Sequence, residues 1–184
     1  MKKNLTTTQD FVEVEITPVM YQNAKRRADA QGELRKSITH GKSNIYGFLG
    51  EEIFHKMFPR AIRTNTESFD FVLNGNTIDI KSKRCKHKPR LDFECSVALV
   101  TKLQDTDFYF FCRVREDCQV GWALGWMTAK AYKAASVKKY KGELDPSNQM
   151  TFLCDCLNLE IGKLWHIEAL TVLDEVQAQR KKSA

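Results

Sequence analysis

The spacing of apolar positions changes along the chain, and each change marks a different kind of element. From Met20 to Ser37, helix-forming residues run beside Lys25, Arg26, Arg27, Arg35 and Lys36, which predicts a surface helix with a basic side, weakest towards Gly32. From Asn44 to Phe58 apolar residues recur at Ile45, Leu49, Ile53 and Met57, widened by Phe48 and Phe54, until Pro59 stops the run. Apolar side chains then cover nearly the whole circumference, so this second helix is expected to be buried. Glu51 and Glu52 stand out on it, because buried carboxylates need partners.

At Ser68 the period shortens to two. Ser68 to Ser82 is a pair of β-branched and aromatic runs around Asn74-Gly75, the strongest short-range signal for a β-hairpin. Further strands are expected at Phe93–Lys102, Phe108–Arg115, Val120–Met127 and Met150–Leu159, and a helix at Thr128–Val137 with Thr128 as its cap. Lys102–Asp107 and Gly142–Asn148 read as loops, and Asp174–Ala184 as a fraying helix or loose basic tail. There is no internal repeat and no linker, and the 184 residues suit one domain. Two helices, then a mostly antiparallel sheet with one inserted helix, make an α/β or α+β arrangement.

A two-residue Asn-Gly turn fixes the hairpin register, pairing Leu73 with Asn76, Val72 with Thr77, Phe71 with Ile78 and then Asp70 with Asp79. Directly opposed residues share a face with Cβ atoms roughly 4.5–5.5 Å apart, where like charges destabilise a sheet unless something compensates. Alternation places Lys81 on the face of Asp79, with Phe69, Phe71, Leu73, Ile78 and Ile80 on the other. Paired carboxylates suit Mg²⁺ or Mn²⁺, which bind few protein oxygens and keep water and phosphate in their shell. A lysine beside such a cation can orient or activate water and neutralise charge on a phosphoryl transition state. The competing reading is a surface hairpin with a cross-strand ion-pair cluster of little energetic worth.

Asp70, eight residues, then Asp79-Ile80-Lys81 resembles the PD-(D/E)XK nuclease superfamily, with Phe69 where the family name places proline. Gly47-Phe48-Leu49-Gly50-Glu51 is similar to the glycine–glutamate stretch that many members carry on a preceding helix. The resemblance covers roughly Ile45 to Ser82. It implies a restriction-endonuclease-like core, a mixed and mostly antiparallel sheet flanked by helices. It also implies a Mg²⁺-dependent DNA nuclease, with Mn²⁺ as a substitute. In that scheme Asp70, Asp79 and the Ile80 carbonyl hold the metal, Lys81 serves the water, and Glu51 completes or extends the shell. The helical wheel instead favours Glu52, which lies within the main apolar stripe.

Charge stands at the edge of what suggests a polyanionic partner and decides nothing alone. Twenty-nine basic against twenty-three acidic residues leave a net charge of +6. Lys83, Arg84, Lys86, Lys88 and Arg90 follow the motif at once, where the phosphates of a scissile strand would be gripped. Arg26, Arg27, Lys138, Lys139 and Lys141 are candidates to extend that track. DNA is the expected partner; an RNA-cleaving nuclease, or a module of the same fold that binds nucleic acid without cutting it, are the alternatives. Linear ends, branched junctions and specific duplex sites stay open as substrates, and cutting both strands would call for a homodimer.

The remaining signals exclude more than they add. No apolar run approaches the ~20 residues of a membrane span and no export signal is visible, so a cytoplasmic location is expected, the host cytoplasm for a phage-encoded chain. The six cysteines are expected to be thiols. Cys85, His87, Cys154 and Cys156 lack the spacing of a zinc knuckle, and a cysteine nucleophile with His55 or His166 is disfavoured. Trp122, Trp126 and Trp165 read as core rather than as base-stacking platforms.

Overall fold

A computed structural model describes residues 11–31, 44–64, 66, 68–99, 105–145 and 151–182. The elements are β1 (Val12–Glu15), α1 (Pro18–Gln31), α2 (Asn44–Met57), β2 (Ile62–Arg63), β3 (Phe71–Leu73), β4 (Asn76–Cys85) and β5 (Glu94–Ala98), followed by β6 (Phe108–Arg115), β7 (Val120–Thr128), α3 (Ala129–Ala135), β8 (Val137–Lys139), β9 (Cys156–Glu160) and α4 (Ile167–Lys182). This is a mixed α/β architecture with two sheets instead of the single sheet expected. A six-stranded sheet runs β1-β7-β6-β4-β3-β2, and a three-stranded sheet runs β5-β9-β8. All pairings are antiparallel except β4 with β6.

β6 explains how the layers stack. Its sequence, FYFFCRVR, shows no alternation because both faces are covered. Phe110, Cys112 and Val114 join Leu49, Ile53 and Phe54 of α2 and Ile167 and Leu170 of α4 in one core. Tyr109 and Phe111 face the opposite way, into a second core with Tyr132 of α3, Cys95 and Val97 of β5, and Leu159 of β9. The large sheet is therefore sandwiched between helices on one side and the small sheet with α3 on the other.

Element by element, local chemistry accounts for most boundaries. The second helix is buried as its periodicity requires, with Leu49, Ile53 and Phe54 fully enclosed. Thr128 caps α3 by accepting a hydrogen bond from Ala131 N at 3.1 Å. α1 starts two residues earlier than expected, because Pro18 suits a first helical position and Thr17 Oγ1 accepts from Met20 N at 3.3 Å. Gly32 and the residues after it, to Ser43, lie outside the described residues, as do 102–104 and 146–148 of the two expected loops. At the other end α4 is a helix rather than a tail. Its Asp174 is buried and receives Arg60 and the Asn74 side chain, which pins the helix to the hairpin turn. Among the described residues no helix is long and apolar enough to cross a membrane.

Candidate active site

The hairpin forms in the register that its turn dictates, Leu73 with Asn76, Val72 with Thr77 and Phe71 with Ile78. Asn74 and Gly75 take φ of 54° and 93°, the positive values that a tight hairpin turn of this kind needs at both central positions. The expected fourth pair departs from the ladder: β3 begins at Phe71, and Asp70 stands one residue outside it. Asp70 N donates to Ile78 O at 2.9 Å, while its carboxylate Oδ2 accepts from Ile80 N at 2.7 Å, where a main-chain carbonyl would otherwise pair. The side chain thus closes the ladder, and β4 continues past it with β6 as its neighbour. The two polar groups of one strand residue point to the same edge, so the Ile80 carbonyl is directed to the Asp70 side as well.

Asp79 comes to this edge from the face of the second core. It is only 3% exposed, next to Tyr109 in the β4–β6 register. Lys81 follows it on the same face, with Nζ 2.7 Å from Asp79 Oδ2. That oxygen is fully buried and has no well-aligned hydrogen-bond donor. The carboxyls of Asp70 and Asp79 lie within hydrogen-bonding reach of each other.

Glu51 arrives from the helical side. α2 sits against β4 at Gly50, where a Cβ would stand 2.7 Å from Ser82 Cβ, and this close approach brings the following residue to the same strand edge. Glu51 Oε2 accepts from Arg27 Nη1 at 2.7 Å and from Arg63 Nη1 at 2.6 Å; Arg63 Nη2 reaches Glu52 Oε1 at 2.7 Å. Both glutamates are buried, and the charge of Asp70 bears on the Glu51 carboxyl.

Burial and mutual repulsion dominate the electrostatics. Burial pushes the Glu51 carboxyl up to about 7, Asp70 adds to the rise, and Arg27 and Arg63 oppose it. Asp79 is likewise raised to about 7 by burial, with Lys81 pulling down and Asp70 pushing up. Asp70 shifts upward too, chiefly by burial, against the hydrogen bond from Ile80 N. Glu51, Glu52, Asp70 and Asp79 are matched by three cations, Arg27, Arg63 and Lys81, which leaves the cluster with a surplus of acidic groups.

Hard oxygens in a surplus of negative charge fit Mg²⁺ or Mn²⁺. Two carboxylates, Asp70 and Asp79, and the Ile80 carbonyl are the nearest donors, with Glu51 drawn towards its arginines. Among the described residues no three His, Cys, Asp or Glu side chains are grouped closely enough to hold a cation by themselves.

The basic residues after the motif divide into two groups. Arg84, Lys86 and Lys88 are exposed where β4 leaves the site. Lys83 instead turns inward, 3.4 Å from the buried Asp145, and Arg90 is paired with Asp92, its Nε 2.9 Å from Oδ1. Arg27, read from sequence as part of a basic surface, is bound to Glu51. Sequence reasoning missed Arg63 altogether, since nothing in a two-residue strand signals a bridge to a helix eleven residues earlier. The cysteines are all free thiols, and Trp122 and Trp126 are buried as core, whereas Trp165 is exposed, its ring edge-on to Trp126. No protein-family model matches the chain, and no curated protein does.

Proposed function

We propose that the chain is a metal-dependent deoxyribonuclease of the PD-(D/E)XK type, with its centre at the β4 edge. The observation that carries this reading is the meeting of the Asp70 and Asp79 carboxyls with Lys81 at one strand edge, with Glu51 near enough for the charge of Asp70 to bear on it. The architecture is compatible with it: a buried helix carrying Glu51 precedes the β2–β3–β4 meander, and β6 then returns parallel to β4.

A divalent cation bound here would lower the pKa of a coordinated water and polarise a phosphoryl oxygen. Asp70, Asp79 and the Ile80 carbonyl would hold it, and Glu51 would extend its shell. Lys81 stands beside Asp79, placed to orient the attacking water and to offset charge as the phosphodiester is attacked. Asp79 in turn keeps the ammonium at 2.7 Å, so the strand residue two positions away is both ligand and positioner. Arg27 and Arg63 hold the Glu51 carboxylate in place. Arg84, Lys86 and Lys88 offer the exposed positive charge that a DNA backbone needs close to the centre.

The test is cleavage of supercoiled plasmid, linear duplex, single strands, a four-way junction and RNA, each with Mg²⁺, Mn²⁺ or EDTA, by the chain and by Lys81→Ala. Cleavage of DNA that requires metal and falls at least about a hundredfold in the variant is expected for a lost catalytic group. Binding without cleavage under every metal overturns the nuclease reading in favour of a binding module, and cleavage of RNA alone reassigns the substrate.

A further inference from the structure

The proposed reaction gives Glu51, Asp70 and Asp79 a task and leaves the similarly buried Glu52 with none. Glu51 and Glu52 are neighbours on α2, and successive helical side chains project about 100° apart, so the two carboxylates do not face each other. A single side chain nevertheless joins them. Arg63 Nη1 donates to Glu51 Oε2 at 2.6 Å and Arg63 Nη2 to Glu52 Oε1 at 2.7 Å, so two arms of one planar guanidinium are taken by different carboxylates. The guanidinium is presented from β2, where Arg63 pairs with Phe71 of β3, and its Cζ lies 4.8 Å from the centre of the Phe71 ring. Next along the chain, Thr64 N donates to Asp70 O at 2.9 Å. Arg63 therefore ties α2 to the Asp70 side of the sheet through two points instead of one.

We infer that Glu52 is a positioning residue of the metal centre: by holding one arm of Arg63 it aims the other at Glu51, and so sets where the Glu51 carboxylate stands. The inference rests on the nuclease reading and extends it to an acid that touches no reacting atom. An arginine with both arms engaged on separate carboxylates and its plane against an aromatic ring has one orientation. Without Glu52 the fork is free to turn both arms onto Glu51, the usual bidentate arrangement of an arginine and a carboxylate, and so to re-aim that carboxyl. Glu52 thus occupies the apolar stripe of α2 as the partner of Arg63, not as a metal ligand.

The test is a double-variant cycle read as Mn²⁺ affinity, with the full chain titrated calorimetrically at pH 7.5 and no nucleic acid present. Glu52→Met keeps the length of the side chain and suits the apolar stripe but removes the acceptor. It is expected to weaken Mn²⁺ binding about tenfold, the lower end of what losing a group that orients the metal's surroundings produces. In an Arg63→Ala background the same substitution is expected to cost no further affinity, because the group it acts through is gone. Glu52→Gln, which keeps an oxygen for Nη2, is expected to bind Mn²⁺ more tightly than Glu52→Met. A further loss of similar size in the Arg63→Ala background overturns the inference, since Glu52 would then act on the cation directly or through the packing of α2. Equal affinities for the Gln and Met variants overturn it as well, and that comparison stands even where Arg63→Ala does not fold. Failure of the unaltered chain to bind Mn²⁺ is a separate result, which removes the metal centre and this inference with it, whereas additive losses leave the metal centre standing.

Discussion

Asp79 shows how a single residue couples stability to chemistry. Its folded carboxyl titrates near 7 and Glu51 does the same, against ordinary values of about 4. Below pH 4 both folded and unfolded chains hold these protons. Between about 4 and 7 the unfolded chain releases them first, so metal-free stability falls as pH rises through that window. Denaturant melts in EDTA are expected to show a loss of a few kcal/mol from pH 5 to pH 8. Asp79→Asn cannot ionise there, so its slope is expected to be shallower and its stability at pH 8 higher by about 1–2 kcal/mol. Equal destabilisation of that variant at both pH values contradicts the assignment of Asp79 as a buried, repelled charge. The Asn-Gly turn made the ladder from Leu73–Asn76 to Phe71–Ile78 legible, but not the departure of Asp70, which leaves it one residue before the expected pair with Asp79. Arg27 and Arg63 were not legible, since neither periodicity nor spacing relates them to Glu51 before the chain is folded.

α2 carries the clearest contrast between two glycines. At Gly50 a Cβ meets Ser82 Cβ at 2.7 Å, so Gly50→Ala must push the helix from β4, with an expected loss of 1–3 kcal/mol and displacement of Glu51. At Gly47 nothing lies within 4 Å, so Gly47→Ala is expected to be neutral or to stabilise by up to about 1 kcal/mol through helix propensity. Urea melts of the two variants give the comparison, and equal effects would contradict the packing described. β7 shows why element-level reading stops short. Trp122 and Trp126 share parity, which strict alternation assigns to one face. The irregularity between Phe111 and Cys112 of β6, opposite Gly125 and Ala123, switches faces midway, and the two indoles lie in opposite cores. The sequence marks this only by Gly125, whose Cβ would stand 2.7 Å from Trp165 O. β5, β8 and β9 leave the main sheet for a similar reason: short apolar runs reveal strands but not which sheet they join.

At the scale of the whole molecule, β6 and β7 contribute to both cores, so neither core can open without exposing the other. One cooperative transition follows. Fluorescence melts of Trp122→Phe and Trp126→Phe, each reporting mainly the opposite core, are expected to coincide after correction for their separate stabilities. Two resolved transitions would show the sheets unfolding independently. The same layering explains the placement of the site. The helical layer delivers Glu51 with its arginines, the end of the hairpin ladder delivers Asp70, and the opposite face delivers Asp79 and Lys81, so three parts of the fold meet at one strand edge.

Thermal melting against Mn²⁺ at pH 7.5 reads that meeting without any need for cleavage. A cation at 100 times its dissociation constant adds about 2.7 kcal/mol. For a chain of this size that raises the midpoint by about 5–10 °C. Such a rise is expected for the chain, and none for Asp70→Asn or Asp79→Asn, each of which must remain folded in EDTA. The same rise in all three proteins would place the cation elsewhere and contradict the site at the β4 edge.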